Sequence, residues 1–196
     1  DRVQANTLAI VTSKIRDVVS VPIGIDAAFN DWETAFSIAH IVGAQFIRIP
    51  VFVDTVEFYG GVITPCAREA VLYRKRIQSE DVMILADIQV KHTNMVIPNI
   101  SIESSAINAE VCGADAIIVT GSVTGEETPL EIIERVKRVV SIPVLAGSGV
   151  TAANVQQQFR VADGAIVGTA LKEGGKLTSP ISEHLVEKLM GALSND

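Results

Sequence analysis

Two ionisable side chains stand at the carboxyl end of an apolar run. Along VMILADIQVKH (residues 82–92), one set of alternate residues stays apolar, and the other changes from apolar to polar. The second set is Met83, Leu85, Asp87, Gln89 and Lys91. A carboxyl group acts as a general acid or base, and an amine forms a Schiff base or binds an anion. We therefore predict that Asp87 and Lys91 are catalytic. The alternative is a buried aspartate paired with an arginine, beside a solvated lysine.

Three more catalytic candidates lie in or next to apolar runs: Arg48, Asp26, which ends PIGID (22–26), and His92. Arg48 lies inside FIRIPVF (46–52), where an unpaired charge is unfavourable, so we expect it to pair with Asp26 or Asp87 on neighbouring strands. Such a pair either contacts a ligand or ties strands together. His92 follows Lys91, and histidine is a common general acid or base, so His92 is a further catalytic candidate; an ordinary loop histidine is the alternative.

Glycine-rich turns follow the last two apolar runs. PVLAGSG ends in Gly147, Ser148 and Gly149, and GAIVGTA contains Gly168 and Thr169 near its end. Glycine lets a backbone approach a ligand, and amide groups that start helices carry partial positive charge. Two such turns on adjacent strands predict a phosphate site. Tight turns without a ligand are the alternative.

Two loops add candidates. TGSVTG (120–125) is rich in hydroxyl groups and glycine, so Thr120, Gly121 and Thr124 are expected to contact the polar end of a ligand. The segment 51–65 is long for a connection in an α/β domain, and we predict a lid over the site with Gly60 and Gly61 providing freedom.

Composition narrows the classes of partner. The 196 residues are 48% hydrophobic and carry 16 basic and 23 acidic side chains, a net charge of −7. This balance argues against nucleic-acid binding and against a basic membrane patch, and no apolar run approaches the roughly 20 residues of a membrane span.

Cys66 and Cys112 match neither a disulfide framework nor a metal site. We expect a soluble protein of a reducing compartment, the cytoplasm or an organelle interior, without metal or cofactor. Homo-oligomerisation stays open.

Six apolar runs alternate with amphipathic helices and predict an α/β domain with a parallel sheet. The runs are residues 22–26, 46–52, 82–90, 115–121, 143–149 and 164–170. VVSVPIG (18–24) is echoed by VVSIPVL (139–145), and the echoed runs are the first and fifth. An offset of four strands is half of an eight-stranded barrel.

The repeat therefore favours a TIM (β/α)8 barrel over an open six-stranded sheet. The chain opens on a helix with no strand before it, so we expect it to hold strands 3 to 8 as a single domain, 1–196, lacking the first two strands. A parent chain of roughly 260 residues would then be typical.

The motifs ADIQVKH, TGSVTG, PVLAGSGVTAANV and ADGAIVGTALKEGG, in this order, resemble the BtpA/SgcQ family across nearly the whole chain. The resemblance implies a barrel of the ribulose-phosphate-binding group with an N-terminal part that precedes this sequence. It also implies links to photosystem I accumulation in cyanobacteria and to sugar metabolism, without naming a reaction. Asp26 stands where the family has asparagine, so no role is carried over to that position.

These observations predict a protein that binds a phosphorylated small molecule, either a sugar phosphate or a nucleotide-like compound. An enzyme is the favoured reading, a lyase, isomerase or transferase with aldolase, isomerase or phosphoribosyl-type chemistry. The alternative is a non-catalytic assembly or stability factor of the BtpA type.

Overall fold

A computed structural model describes residues 1–121 and 127–194 of the chain. The helices are α1 (Arg2–Arg16), α2 (Trp32–Val42), α3 (Ala67–Arg76), α4 (Ile102–Val111), α5 (Leu130–Lys137), α6 (Val155–Phe159) and α7 (Glu183–Leu193). The strands are β1 (Gly24–Ile25), β2 (Phe46–Ile49), β3 (Val56–Phe58), β4 (Gly61–Ile63), β5 (Met83–Ile88), β6 (Asn94–Met95), β7 (Ala116–Val119), β8 (Val144–Ala146) and β9 (Gly164–Ala165).

Six of these strands form one parallel sheet in the order β1-β2-β5-β7-β8-β9. Each of the six lies within one of the six predicted apolar runs, so the α/β prediction is confirmed. The echoed segments lead into β1 and β8, the first and fifth strands of the sheet. Strand order follows chain order because each helical crossover places the next parallel strand beside the last.

The sheet is curled, so its two edge strands, β1 and β9, line the same cavity. Its outer face packs on the helices and forms the main apolar core, in which Ile47, Ile84 and Ile117 have no exposed surface. The predicted alternation is confirmed from Met83 to Ile88: Ile84, Ala86 and Ile88 are buried against the helices, whereas Leu85 lines the cavity.

Within residues 51–65, the segment predicted to act as a lid, two strands form. β3 and β4 form a hairpin, and β3 also pairs with β6, giving a three-stranded antiparallel sheet. Phe58 of β3 stacks on Phe29 of the loop after β1, with ring centroids 4.4 Å apart. The loops that follow β1, β2 and β5 are thus joined, so this segment has less freedom than its two glycines suggest.

Side chains at the amino ends of the strands fix the strand register. Asp115, which precedes β7, accepts the backbone N–H of Ile84 at 2.8 Å, and Asp163, which precedes β9, accepts that of Val144 at 2.8 Å. Gln45 accepts the N–H of Ile23 in the same way at 2.8 Å. These contacts satisfy donors at the start of a strand that the ladder leaves unpaired. None of the helices described is both long and apolar enough for a bilayer crossing.

Candidate functional site

Arg48 contacts both carboxylates that the sequence offered it. Its Nε and Nη2 donate to the two oxygens of Asp87, each at 2.8 Å, and its Nη1 lies 3.4 Å from Asp26 Oδ2. Parallel strand register explains the arrangement, because β2 lies between β1 and β5 and Arg48 projects from the same face as its partners. The contact with Asp87 is a fork of two charge-assisted hydrogen bonds.

Burial differs sharply across this group. The side chain of Asp87 is 0% exposed, that of Arg48 is 22% exposed and that of Asp26 is 44% exposed. Burial raises the pKa of the Asp87 carboxyl, and the ion pair with Arg48 opposes that rise. Both Asp87 oxygens accept N–H groups, which is the bonding pattern of a carboxylate ion. Burial works against the charge of Arg48, but the two carboxylates hold its pKa above the ordinary value.

Gln89 does not share the inner face with Asp87, so that part of the alternation is wrong. Its backbone has φ +44°, which ends the strand geometry. Its side chain donates to Ser105 Oγ on α4 at 3.3 Å and to the carbonyl of Ile100 at 3.1 Å. The turn reverses the side-chain direction, and an alternation of period two does not extend past it.

Sequence reasoning missed Asp54, which secures this turn. The carboxylate is 6% exposed and accepts the Gln89 N–H at 2.7 Å and the Ser105 hydroxyl at 2.7 Å. Asp54 stands in the segment after β2, and the only signal in the sequence is an acidic residue within an otherwise apolar stretch. It therefore holds the carboxyl end of β5 without lying on the inner face.

Lys91 and His92 follow this turn. The Lys91 backbone N–H donates to Thr120 Oγ1 at 3.0 Å, which links the ends of β5 and β7. The Lys91 side chain is half-buried and interacts electrostatically with Arg48 and Asp87. Burial and the positive charge of Arg48 lower the pKa of its ammonium, and the charge of Asp87 opposes this. His92 is exposed and has φ +64°.

The loop after β7 is joined to the turn after β8. The Gly121 N–H donates to the hydroxyl of Ser148 at 3.0 Å, and Thr128 Oγ1 donates to the Ser148 carbonyl at 3.3 Å. Ser148 is 5% exposed, so its hydroxyl is part of this packing. Thr120 and Gly121 thus connect neighbouring strand ends, and Thr124 lies outside the described residues.

The glycines predicted for the phosphate site divide into two kinds. The Gly147 N–H donates to the carbonyl of Val119 at 2.7 Å, and a Cβ on Gly147 would lie 2.7 Å from both Ile118 Cγ2 and Thr120 Cγ2. The absence of a side chain at Gly147 therefore allows β7 and β8 to approach closely. Its amide is engaged within the protein and is not available to a phosphate. Gly168 is exposed, and no atom of the described residues lies within 4 Å of a Cβ placed on it.

Among the described residues, backbone amide groups without an acceptor remain at three of the positions predicted to bind phosphate. Gly149, with φ +71°, Gly168 and Thr169 have backbone N–H groups that no acceptor in residues 1–121 and 127–194 engages. The Gly149 donor lies in the turn before α6, which begins at Val155, and not at the amino end of that helix. Gly168 and Thr169 stand at the amino end of a 3-10 helix, Thr169–Leu171, which follows β9.

A cavity of about 370 Å³ lies on the inner face of the curled sheet. It is lined by Gly24, Ile25, Asp26, Phe46, Arg48, Leu85, Ile118, Leu145, Ala165 and Ile166. Its wall is mostly apolar, with Asp26 and Arg48 as the charged groups, and Ile166 stands two residues before Gly168. Within the described residues, no three His, Cys, Asp or Glu side chains are grouped so as to hold a metal ion.

Known structures share this fold at low sequence identity. Thiamine phosphate pyrophosphorylase from Pyrococcus furiosus superposes with a TM-score of 0.64 at 15% identity, covering 96% of this chain and 77% of that one. N-(5'-phosphoribosyl)anthranilate isomerase from P. furiosus gives 0.61 at 16%, covering 96% and 81%. The tryptophan synthase A-subunit from P. furiosus gives 0.63 at 18%, covering 94% and 71%. The fold is therefore TIM-barrel-like.

Sequence relatives are considerably closer. An uncharacterised P. furiosus protein is 45% identical over 175 residues, which cover 88% of this chain and 65% of the relative. The photosystem I biogenesis protein BtpA of Synechocystis is 32% identical over 196 residues, covering 99% of this chain and 68% of that protein. The chain thus spans about two thirds of the length of these relatives. The BtpA family model matches residues 1–195, and the chain belongs to the BtpA family.

Proposed function

We propose that this protein binds a phosphorylated small molecule at the carboxyl ends of its parallel strands and acts on it as an enzyme. The observation that carries the proposal is the set of unengaged amide groups of Gly149, Gly168 and Thr169 on the turns that follow β8 and β9, two neighbouring strands that line the cavity. Backbone N–H groups that lack a protein acceptor are suited to bind the oxygens of a phosphate. Two structural neighbours, thiamine phosphate pyrophosphorylase and N-(5'-phosphoribosyl)anthranilate isomerase, are named for phosphorylated compounds, which supports a phosphorylated ligand without assigning a substrate.

The exposure of each side chain sets its proposed role. Asp26 is exposed enough to exchange a proton with a ligand, and Lys91 has a lowered pKa, which favours action as a base or as a Schiff-base amine. Arg48 would orient the ligand. Asp87, with no exposed surface, would hold Arg48 in place and make no contact with the ligand. His92, exposed beside Lys91, is a further acid–base candidate.

These roles fit aldolase, isomerase or phosphoribosyl-type chemistry, which correspond to a lyase, an isomerase or a transferase. We also propose that the six parallel strands correspond to strands 3 to 8 of an eight-stranded barrel within a single domain. Two facts support this: β1 and β9 are the edges of a curled sheet, and the relatives are longer than this chain. A reducing compartment and homo-oligomerisation stay predictions.

Ligand binding tests the phosphate site directly. Thermal unfolding of the wild type and of the Gly168→Glu and Gly168→Ala variants would be measured with ribose 5-phosphate, inorganic phosphate and unphosphorylated ribose. A ligand at 100 times its Kd stabilises a protein by about 2.7 kcal/mol. We expect the phosphorylated probe to raise the melting temperature of the wild type and of Gly168→Ala. Gly168→Glu places a negative charge at the turn and should abolish the shift.

The matched variants make the result interpretable. A Cβ at position 168 meets no neighbouring atom within 4 Å, so Gly168→Ala controls for the loss of glycine without adding charge. Unphosphorylated ribose controls for the sugar. If phosphorylated compounds leave all three proteins unchanged, or if Gly168→Glu binds as well as Gly168→Ala, the phosphate site is elsewhere or does not exist.

Covalent trapping tests the amine. Incubation with a phosphorylated ketone and sodium borohydride should produce a reduced adduct on Lys91 if this lysine forms a Schiff base. Lys91→Arg keeps the positive charge but cannot form the adduct. A labelled peptide containing another lysine would remove Lys91 from this role, and absence of any adduct would favour proton transfer over a covalent mechanism.

One observation favours a second function, that of a non-catalytic assembly or stability factor. The antiparallel sheet and the loop beside it expose large apolar side chains, with Tyr59 90%, Val62 61% and Ile97 52% exposed. Exposed large apolar side chains are a feature of protein-binding surfaces when they form one contiguous patch. The Synechocystis relative named for photosystem I biogenesis is consistent with such a role. In that case Tyr59→Ser with Val62→Ser would abolish assembly in cells without lowering the melting temperature, and Gly168→Glu would have no effect.

A further inference from the structure

Four charged side chains meet at the β1 edge of the cavity and its neighbouring strand ends. Asp26 and Asp87 are negative, and Arg48 and Lys91 are positive, so the group as a whole is neutral. Asp54 stands in an adjacent segment, but its carboxylate is engaged by the Gln89 N–H and the Ser105 hydroxyl at 2.7 Å each. The Asp54 side chain does not line the cavity, so a ligand there does not contact it directly.

The guanidinium of Arg48 cannot offer two parallel N–H groups to an anionic group of a ligand. Three of its nitrogens face carboxylates: Nε and Nη2 bind Asp87 at 2.8 Å, and Nη1 faces Asp26 at 3.4 Å. A guanidinium has five N–H donors, so at least two remain for neutral acceptors. The positive charge, however, is already matched by two carboxylates.

Asp26 is the carboxylate that a ligand meets first. Its side chain is 44% exposed and lines the cavity, whereas Asp87 is fully buried behind Arg48. A second anionic group on the ligand would approach Asp26 with like charge. A hydroxyl group, in contrast, can donate to Asp26 and accept from the remaining N–H groups of Arg48 or from Lys91.

We propose that the ligand carries its phosphate as its only anionic group and is neutral and hydroxylated at the other end, as in a sugar monophosphate, and that Asp26 enforces this selection. The inference rests on the proposed phosphate site and narrows its substrate class. It excludes bisphosphates and phosphorylated carboxylic acids as preferred ligands. The physical basis is that specificity arises as much from repulsion of the wrong ligand as from attraction of the right one.

A charge-altering substitution tests this directly. Calorimetric Kd values would be measured at low ionic strength for ribose 5-phosphate, ribulose 1,5-bisphosphate and 3-phosphoglycerate. We expect the wild type to bind ribose 5-phosphate at least about tenfold more tightly than either of the other probes. Asp26→Asn removes one negative charge from the exposed edge, so affinity for the two probes that carry a second anionic group should rise about tenfold. Affinity for the monophosphate should stay equal or fall, because the hydroxyl acceptor is weakened.

Asp17→Asn is the matched control. Asp17 is a 66% exposed carboxylate that follows α1, so its substitution changes the net charge by the same amount away from the cavity. It should leave the ratio of the Kd values unchanged. If Asp17→Asn raised the affinity for the bisphosphate and the phosphorylated acid equally, net charge alone would determine the preference among ligands. That result would overturn the role of Asp26.

The other outcomes separate the two proposals. If the wild type binds the bisphosphate or the phosphorylated acid as tightly as the monophosphate, the selection by Asp26 is wrong, but the phosphate site stands. If Asp26→Asn leaves the ratio unchanged, the selection is also wrong. If none of the three probes binds while the protein remains folded, the proposed function fails and this inference fails with it.

Discussion

The guanidinium of Arg48 holds the carboxylate of Asp87 through two parallel hydrogen bonds of 2.8 Å on the inner side of the sheet. Asp87 is fully buried, so this pair joins β2 to β5 with little screening by solvent. Its removal should therefore affect the fold as well as any ligand that Arg48 orients.

Arg48→Met should destabilise the protein by about 3–5 kcal/mol, because it leaves the Asp87 charge buried and unpaired. Arg48→Met combined with Asp87→Leu should recover much of this loss, since both charges are then removed. The free energy of unfolding in urea measures both effects. Arg138→Met breaks an exposed ion pair with Glu134 and should change little. A double variant as unstable as the single one would contradict the pairing.

Gly147→Ala should destabilise the protein by about 1–3 kcal/mol, because the new methyl group has no room. Its Cβ would lie 2.7 Å from two side chains and 3.0 Å from the Val119 carbonyl. Gly168→Ala, at a position with open space, should have a much smaller effect on the melting temperature. Equal effects of the two substitutions would show that β7 and β8 do not approach each other as described.

Stability should depend on Asp163 in a pH-dependent way. Partial burial opposes its ionisation, but Lys137 at 2.6 Å and the Val144 N–H hold its pKa below the ordinary value of 3.8. A carboxyl group with a lowered folded pKa stabilises the fold above its unfolded pKa, and the contribution disappears as the pH falls through the folded pKa.

Urea unfolding of the wild type and of Asp163→Asn, from pH 7 down to pH 2.5, measures this contribution. The wild type should be the more stable protein at pH 7, and the difference should shrink below about pH 4. A difference that stays constant over the whole range would show that ionised Asp163 does not stabilise the fold.

The two cysteines should differ in reactivity. Burial raises the pKa of the Cys66 thiol to about 12, and its Sγ donates to the Val51 carbonyl at 3.2 Å. Since the thiolate is the reactive form, Cys66 should resist alkylation at pH 8. Cys112 is exposed. Mass spectrometry should find one alkylated cysteine in the native protein and two in urea; rapid native labelling of Cys66 would contradict its burial.

The sequence alone determined the features that depend only on residues close together in the chain. Each apolar run contains a strand of the parallel sheet, and alternation along the third run assigned the residues from Met83 to Ile88 to the correct faces. A strand's side-chain period is a property of its own backbone, so it is visible without knowledge of its neighbours. The motifs likewise identified the family.

Tertiary structure alone decided which of these residues a ligand can reach. The sequence placed Arg48 near Asp26 and Asp87, but the distances and burial show that Asp87 lies behind Arg48 and that Asp26 faces the cavity. Similarly, the engaged amide of Gly147 and the open position of Gly168 depend on the distance between chain segments, although both residues look alike in the sequence.

The same reason explains two features that local patterns did not predict. Gln89 turns away from the inner face because Asp54, 35 residues earlier, binds its N–H, and β3 belongs to a three-stranded sheet because it pairs with both β4 and β6. Both outcomes arise from contacts between residues far apart in the chain. Local periodicity carries no information about such partners, and only the folded chain brings them together.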